Sequence, residues 1–264
     1  MSLPIPRKDS VAIVTGASSG IGEQFARQLS ALGHRVALTA RREDRLTALA
    51  AELGGPDRAV VIAADLSVPE DRDRLAARIE ELGAQVDILV NSAGFGVYGA
   101  FIESGREREV RQVRVDVEAV VDLMARYLPG MVERGTGVII NVSSSSGFLP
   151  SAYNAGYAAA KAHVLYLSEA VNAEVRGTGV SVTAVCPGPV PTEFAELNEA
   201  AIFDKVPKSF RVSPERVVAD SLKAADKGKR SVVPGGPHVK AFFAPSRLAP
   251  PALALALTKR LLKK

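Results

Sequence analysis

Seven short runs of apolar, mostly β-branched residues recur along the chain, each followed by a longer stretch of different rhythm. They read VAIVT (11–15), RVALTA (35–40), AVVIAAD (59–65), VDILVN (86–91), GVIINVS (137–143), VSVTAVC (180–186) and RSVVP (230–234). Runs that are apolar at nearly every position suit strands covered on both faces, as in a parallel sheet. The intervening stretches 21–32, 43–53, 69–83, 106–134, 155–176 and 214–227 carry helical periodicity. Ser67 with Pro69 and Ser213 with Pro214 supply start signals. Strand–helix alternation repeated this often predicts an α/β fold: a doubly wound parallel sheet of about seven strands, helices on both faces, joined by right-handed crossovers. With 264 residues and 47% hydrophobic content, one large domain accommodates the whole pattern.

The rhythm breaks near residue 236. The remainder, 237–264, is Pro-rich and basic, and reads as an extension of a single domain spanning 1–236. Residues 205–264 hold fourteen Lys and Arg against three Asp and Glu, a net +11, while residues 1–204 are net −7. At the end, Leu253, Ala254, Leu255, Leu257, Leu261 and Leu262 fill about half of a helical wheel, and Lys259, Arg260, Lys263 and Lys264 the rest. Such a helix either docks on the acidic body of the chain or makes a weak contact with a membrane surface. Nothing in the pattern calls for nucleic acid. The single cysteine, Cys186, excludes an intramolecular disulfide and fits a reducing compartment. No apolar leader or membrane-length run is present, so the expected location is the cytoplasm.

The first strand runs directly into a helix through TGASSGIG (15–22), with Gly16, Gly20 and Gly22 at the joint. Glycines there permit a tight turn and the close approach of a pyrophosphate, whose charge meets helix N-terminal N–H groups. At the end of the second strand an acid would bind the ribose 2′-hydroxyl of NAD(H), whereas an arginine accommodates the 2′-phosphate of NADP(H). Ala40 stands where the acid would be, with Arg41 and Arg42 after it. NADP(H) is therefore expected, with NAD(H) second and Arg41 the leading phosphate ligand.

Together, TGASSGIG, NSAG (91–94), the serine-rich VSSSSG (142–147), YAAAK (157–161) and PGPVPT (187–192) resemble the short-chain dehydrogenase/reductase family, with a Rossmann-like fold. The likeness covers the chain to about residue 195, and the tail looks most like the DltE-like branch, which includes relatives of steroid and long-chain ketoacyl reductases. The resemblance implies that Thr15 and Ser18 steady the phosphate turn and that Ile21 joins Gly16, Gly20 and Gly22 in cradling the pyrophosphate. It sets Asp65 and Leu66 beside the adenine; Asn91, Ala93 and Gly94 under the adenosine ribose; and Pro187, Gly188 and Thr192 along the nicotinamide. Position 91 also admits a purely structural role in the central strand. Oligomers paired through 106–134 and 155–176, dimer or tetramer, are implied as well.

Helical spacing selects the proton carrier. Residues four apart share a face about 6 Å apart along the axis, which places Lys161 beside Tyr157. Tyr153, eight positions away, is too distant. A cation beside a phenol favours phenolate, so a lowered Tyr157 pKa is expected. By resemblance, Lys161 also holds the nicotinamide ribose. The family's serine precedes a glycine by three and the tyrosine by thirteen, which points to Ser144 for the substrate carbonyl, with Ser143 and Ser145 as alternates. Where many relatives carry an Asn in a proton relay, Asp116 aligns. Substrate contacts are expected from Phe95, Val97, Tyr98, Leu149, Tyr153, Asn154, Val190 and the 193–212 loop with Phe194, Phe203 and Phe210. These are mostly apolar and lack a clustered basic group, so a hydrophobic ketone or secondary alcohol is the expected substrate. The competing expectation is a catalytically weak NADP(H)-binding sensor or a membrane-surface protein on the same fold. No metal site is expected.

Overall fold

The computed structural model describes residues 3–194, 207–243, 246 and 248–262, without the side chain of Leu261. Its seven strands are β1 Ser10–Thr15, β2 Val36–Ala40, β3 Ala59–Ala63, β4 Gln85–Asn91, β5 Gly137–Val142, β6 Val180–Val185 and β7 Ser231–Val232. They form one sheet in the order β3-β2-β1-β4-β5-β6-β7, and every pair is parallel. The expected seven runs all become strands, the last shrinking to two residues.

Helices cover both faces, as continuous apolarity requires. Helices α1 (Gly20–Ala31) and α2 (Glu43–Glu52) lie on one face with α6 (Pro214–Asp226), burying Phe25, Leu29, Leu46 and Val217 against alternate strand residues such as Val14 and Ile88. On the other face α3 (Pro69–Glu81), α4 and α5 (Ala155–Glu174) enclose Leu75, Leu123 and Val164 around Ile13 and Leu89. Helix α4 is continuous from residue 106 to 134 but not uniform. It comprises Arg106–Val113, a π-helical turn Arg114–Glu118 and Ala119–Arg134. Ser213 caps α6 by accepting from Arg216 N.

The strand order reverses at β1: β2 lies on one side and β4 on the other. Ligands of open α/β sheets bind at such a switch, beyond the carboxyl ends of the strands. The β1–α1 turn and the end of β4 meet there, and β5 continues the row through Asn91↔Asn141.

Residues after 236 do not stand apart. Helix α7 (Pro237–Phe243) buries Val239 in the main core and packs Phe243 against it. Helix α8 (Pro251–Leu262) buries Ala254 and Leu262. Thr258 Oγ1 accepts a hydrogen bond from Ala152 N at 3.1 Å. The tail docks on its own domain. Leu253, Leu255 and Leu257 remain exposed, so the inward face is narrower than the wheel suggests. No described helix is long and apolar enough to cross a membrane.

Candidate active site

A cavity of about 1320 Å³ opens at the switch point and extends from the β1–α1 turn to α8. At its near end Gly16 adopts φ +69°, and a Cβ there would lie 2.9 Å from Ala93 Cα. Gly22 is needed for closeness rather than for φ: its Cβ would fall 2.2 Å from Gly16 O. Thr15 Oγ1 accepts from Ser92 N and Ala93 N, both at 3.0 Å, and ties the turn to the end of β4. Ser19, at the N-cap of α1, makes no capping hydrogen bond. Its hydroxyl accepts from Arg42 Nη2 at 2.9 Å instead. The first N–H groups of α1 therefore face the cavity without a side-chain acceptor, the arrangement that binds phosphate.

Arg42 also donates to Ser18 Oγ, from Nε at 3.2 Å and Nη2 at 3.0 Å. Arg41 is exposed and lines the cavity. Asp65 and Leu66 line it too. Asp65 is fixed by Ser67 Oγ at 2.7 Å and by Arg111 Nη2 at 2.6 Å. Burial works against its charge, but the Ser67 hydrogen bonds and Arg111 hold its carboxyl below the usual range. Leu66 O accepts from the buried Arg72 at 2.7 Å. Arg111 and Arg72 escaped the sequence reading because α3 and α4 approach this loop only in the folded chain.

Asn91 turns away from the cavity. Its Nδ2 donates to Asn141 Oδ1 at 2.8 Å, and Asn141 continues to Ser168 Oγ at 2.8 Å. The side chain thus serves the structural role in the central strands, while Ser92, Ala93 and Gly94 form the cavity wall. Ile21, Pro187, Gly188 and Thr192 all line the cavity as expected.

The run of four serines resolves by geometry. Ser143 Oγ donates to Lys161 O at 2.7 Å and is buried in that contact. Ser145 begins a 3-10 turn, its N–H bonded to Pro187 O. Ser144 lines the cavity with Tyr157 and is the serine that favours ionisation of its phenol; its Oγ accepts from Ser146 N at 3.1 Å. Tyr157, on the first turn of α5, has its ring centroid 5.5 Å from Lys161 Nζ. The lowered phenol expected from this spacing does not arise. Burial, reinforced by Tyr98 and Asp116, holds the Tyr157 pKa well above its ordinary value, and only nearby Ser144 opposes them. Lys161 Nζ is engaged elsewhere, with Val142 O at 3.2 Å and Asp116 Oδ1 at 3.8 Å.

Asp116 lies in the π-helical turn of α4, fully buried. Wider turns of this kind often mark functional positions. Oδ1 accepts from Phe95 N at 3.2 Å. Oδ2 has no hydrogen-bond partner among the described residues. Burial raises the carboxyl to about 6, against the pull of Lys161 and the Phe95 N–H.

Toward α8 the wall is apolar. Phe95, Tyr98, Leu149, Asn154 and Val190 line it, as expected. Burial pushes the Tyr98 phenol up to about 12, against a hydrogen bond with Asn154. Tyr153 does not belong to the wall. It adopts φ 61°, outside the range comfortable for a side-chain-bearing residue, and its carbonyl accepts from Gly99 N at 2.9 Å. That backbone twist presents Asn154 to the cavity and turns Tyr153 aside. Val97 is likewise behind the wall, its N–H bonded to Gln112. Phe194 stacks on Tyr157 with ring centroids 5.7 Å apart. Phe210 packs on His238 and Phe242 instead. Phe203 and the rest of 195–206 lie outside the described residues. Phe242, Phe243, Leu253, Leu257 and Thr258 complete the wall. The amphipathic pattern of 251–262 signalled a docked helix, but nothing in it indicated this site.

The pattern described as short chain dehydrogenase matches residues 10–201. The chain is 36% identical over 189 residues to an uncharacterized oxidoreductase of Staphylococcus epidermidis, covering 72% of this chain and 81% of that one. It is 39% identical over 193 residues to a putative ketoacyl reductase of Streptomyces coelicolor, covering 70% and 72%. Among solved structures, a short-chain dehydrogenase from Sphingobium yanoikuyae in complex with NADPH superposes with a TM-score of 0.79 at 32% identity, covering 89% of this chain and 91% of that one. With this fold, this glycine turn and the Ser144–Tyr157–Lys161 cluster in one cavity, the chain belongs to the short-chain dehydrogenase family.

Proposed function

We propose that the protein is an NADP(H)-dependent oxidoreductase that interconverts a hydrophobic ketone and its secondary alcohol, with Tyr157 as general acid and base. One observation carries this reading: the buried Tyr157 phenol shares with Ser144 and Lys161 the cavity whose other end is the uncapped start of α1. The residues present fit a phosphorylated dinucleotide. Gly16, Gly20 and Gly22 leave little or no room for a side chain at the turn, Ala40 offers no acid to a ribose hydroxyl, and Arg41 borders the cavity. Bound there, the cofactor supplies or removes a hydride at carbon.

The protein's own groups manage the oxygen and the proton. Ser144 donates a hydrogen bond to the carbonyl oxygen and steadies the negative charge that develops on it. Tyr157 passes its phenolic proton to that oxygen. A phenol held well above its ordinary pKa stays protonated at neutral pH and suits reduction. Oxidation by the same residue calls for alkaline conditions. Lys161, between Val142 O and Asp116, is placed to restore the proton, and Asp116 serves as a protonatable end of the relay where an amide could not take up or release a proton. Because Phe242, Leu253 and Leu257 share the wall with Leu149, residues 237–262 act as part of the catalytic unit.

A panel of bulky ketones and small charged oxo-acids, assayed with NADPH and NADH by reduced-nicotinamide absorbance, tests the proposal. Turnover of bulky ketones with NADPH is expected. Preference for NADH would overturn the cofactor assignment, and turnover confined to oxo-acids would overturn the substrate class.

A further inference from the structure

Three consecutive residues after β6 touch both ends of the cavity. Thr192 lies on the phosphate turn: a Cβ on Gly20 would be 3.0 Å from Thr192 Cγ2. Phe194 lies on Tyr157. Between them, Glu193 Oε2 accepts from Arg42 Nη1 at 2.9 Å, and Oε1 accepts from Arg45 Nη1 at 2.6 Å. The remaining nitrogens of Arg42 hold Ser18 and Ser19. One guanidinium thus joins the phosphate turn to an internal carboxylate, which Arg45 and Arg42 keep below the usual carboxylate range.

This contact bears on cofactor choice, and the following rests on the NADP(H) reading above. A 2′-phosphate arriving beside Arg41 and Arg42 brings negative charge to the cation that Glu193 already pairs. It must share Arg42 with Glu193 or displace it, and the two anions repel. A 2′-hydroxyl brings no charge and leaves the pair undisturbed. We propose that Glu193 is a specificity-determining residue, an internal competitor of the cofactor's 2′-phosphate that sets how far NADP(H) is preferred over NAD(H).

The test is calorimetric titration of wild type, Glu193→Gln and Glu193→Asp with NADPH, NADH, 2′-phospho-AMP and AMP, with thermal unfolding to verify the fold of each. The pairs are partly solvent-exposed, at 35–43% side-chain exposure, and exchange with solvent limits their strength. Glu193→Gln is expected to tighten NADPH and 2′-phospho-AMP by roughly 3- to 10-fold, leaving NADH and AMP within about twofold. Glu193→Asp, which retains the charge, stays nearer to wild type. Unchanged or weaker NADPH binding in Glu193→Gln, or an equal gain for NADH, overturns the inference. If wild type itself prefers NADH, the NADP(H) reading fails separately. Glu193 is then judged by whether the Gln variant acquires a preference for 2′-phospho-AMP over AMP; if none appears, the inference fails too.

Discussion

The two ends of the cavity are built by opposite means. The phosphate end is made by eight consecutive residues, 15–22, and its shape is set by the backbone: Gly16 turns the chain and Gly22 lets α1 approach Gly16 O. The apolar end is assembled from distant segments, with Tyr98, Leu149, Val190, Phe242 and Leu257 lining the same cavity as Tyr157. A backbone-made site tolerates almost no change at its few positions. A wall shared among many side chains spreads each loss over its neighbours, so single changes there should shift affinity and leave the chemistry intact.

Tyr157→Phe removes the proton carrier of the assembled end and should have the largest effect. It removes the proton and is expected to lower kcat by roughly 10²–10⁴-fold. NADPH affinity, read by fluorescence titration, should stay close to wild type; parallel loss of both would show that the phenol serves the fold instead. Gly22→Ala strikes the backbone-made end. With its new Cβ 2.2 Å from Gly16 O, cofactor binding should fall below detection and urea denaturation should report a loss of roughly 1–3 kcal/mol or more. A variant with normal cofactor affinity would break the contrast drawn here.

On the assembled side, Leu253→Ala combined with Leu257→Ala should raise KM for a bulky ketone by roughly 3- to 10-fold. KM for NADPH should not move. The smallest effect is expected from Asp116→Asn, which should retain at least about a tenth of wild-type kcat, within the range of a single acid–base contribution. Its signature is in the pH profile. The Asp116 carboxyl, raised to about 6 by burial, is neutral and able to pass a proton below that pH and ionised above it, so wild-type ketone reduction should fall as pH rises through this range. The Asn variant, with nothing to ionise, should lack that step. An unchanged step would remove Asp116 from the relay.

Legibility in the sequence follows the same division. The strands were readable because parallel strands covered on both faces must be apolar at every position, and the β1–α1 turn because its glycine spacing is local. Tyr157 could be selected by its four-residue helical spacing from Lys161, and Ser144 by the spacing that the family resemblance implies. Tyr153 could not, since its φ of 61° turns the side chain from the wall and gives that place to Asn154. Asn91 was legible only as an alternative, because its partner Asn141 stands fifty residues on. The Tyr157 pKa ran opposite to expectation: spacing reveals the nearby ammonium but not the burial that outweighs it.

The sequence by itself determined the sheet, the phosphate turn and the Tyr157–Lys161 pair, since each depends on periodicity or on short-range spacing, and the family resemblance added Ser144. Tertiary structure alone decided what those residues experience. It placed Asp116 beside Lys161 with Oδ2 unpartnered among the described residues, laid α8 along the cavity wall and closed Glu193 onto Arg42 and Arg45. Burial and long-range ion pairing arise from elements far apart in the chain, and no local pattern encodes them.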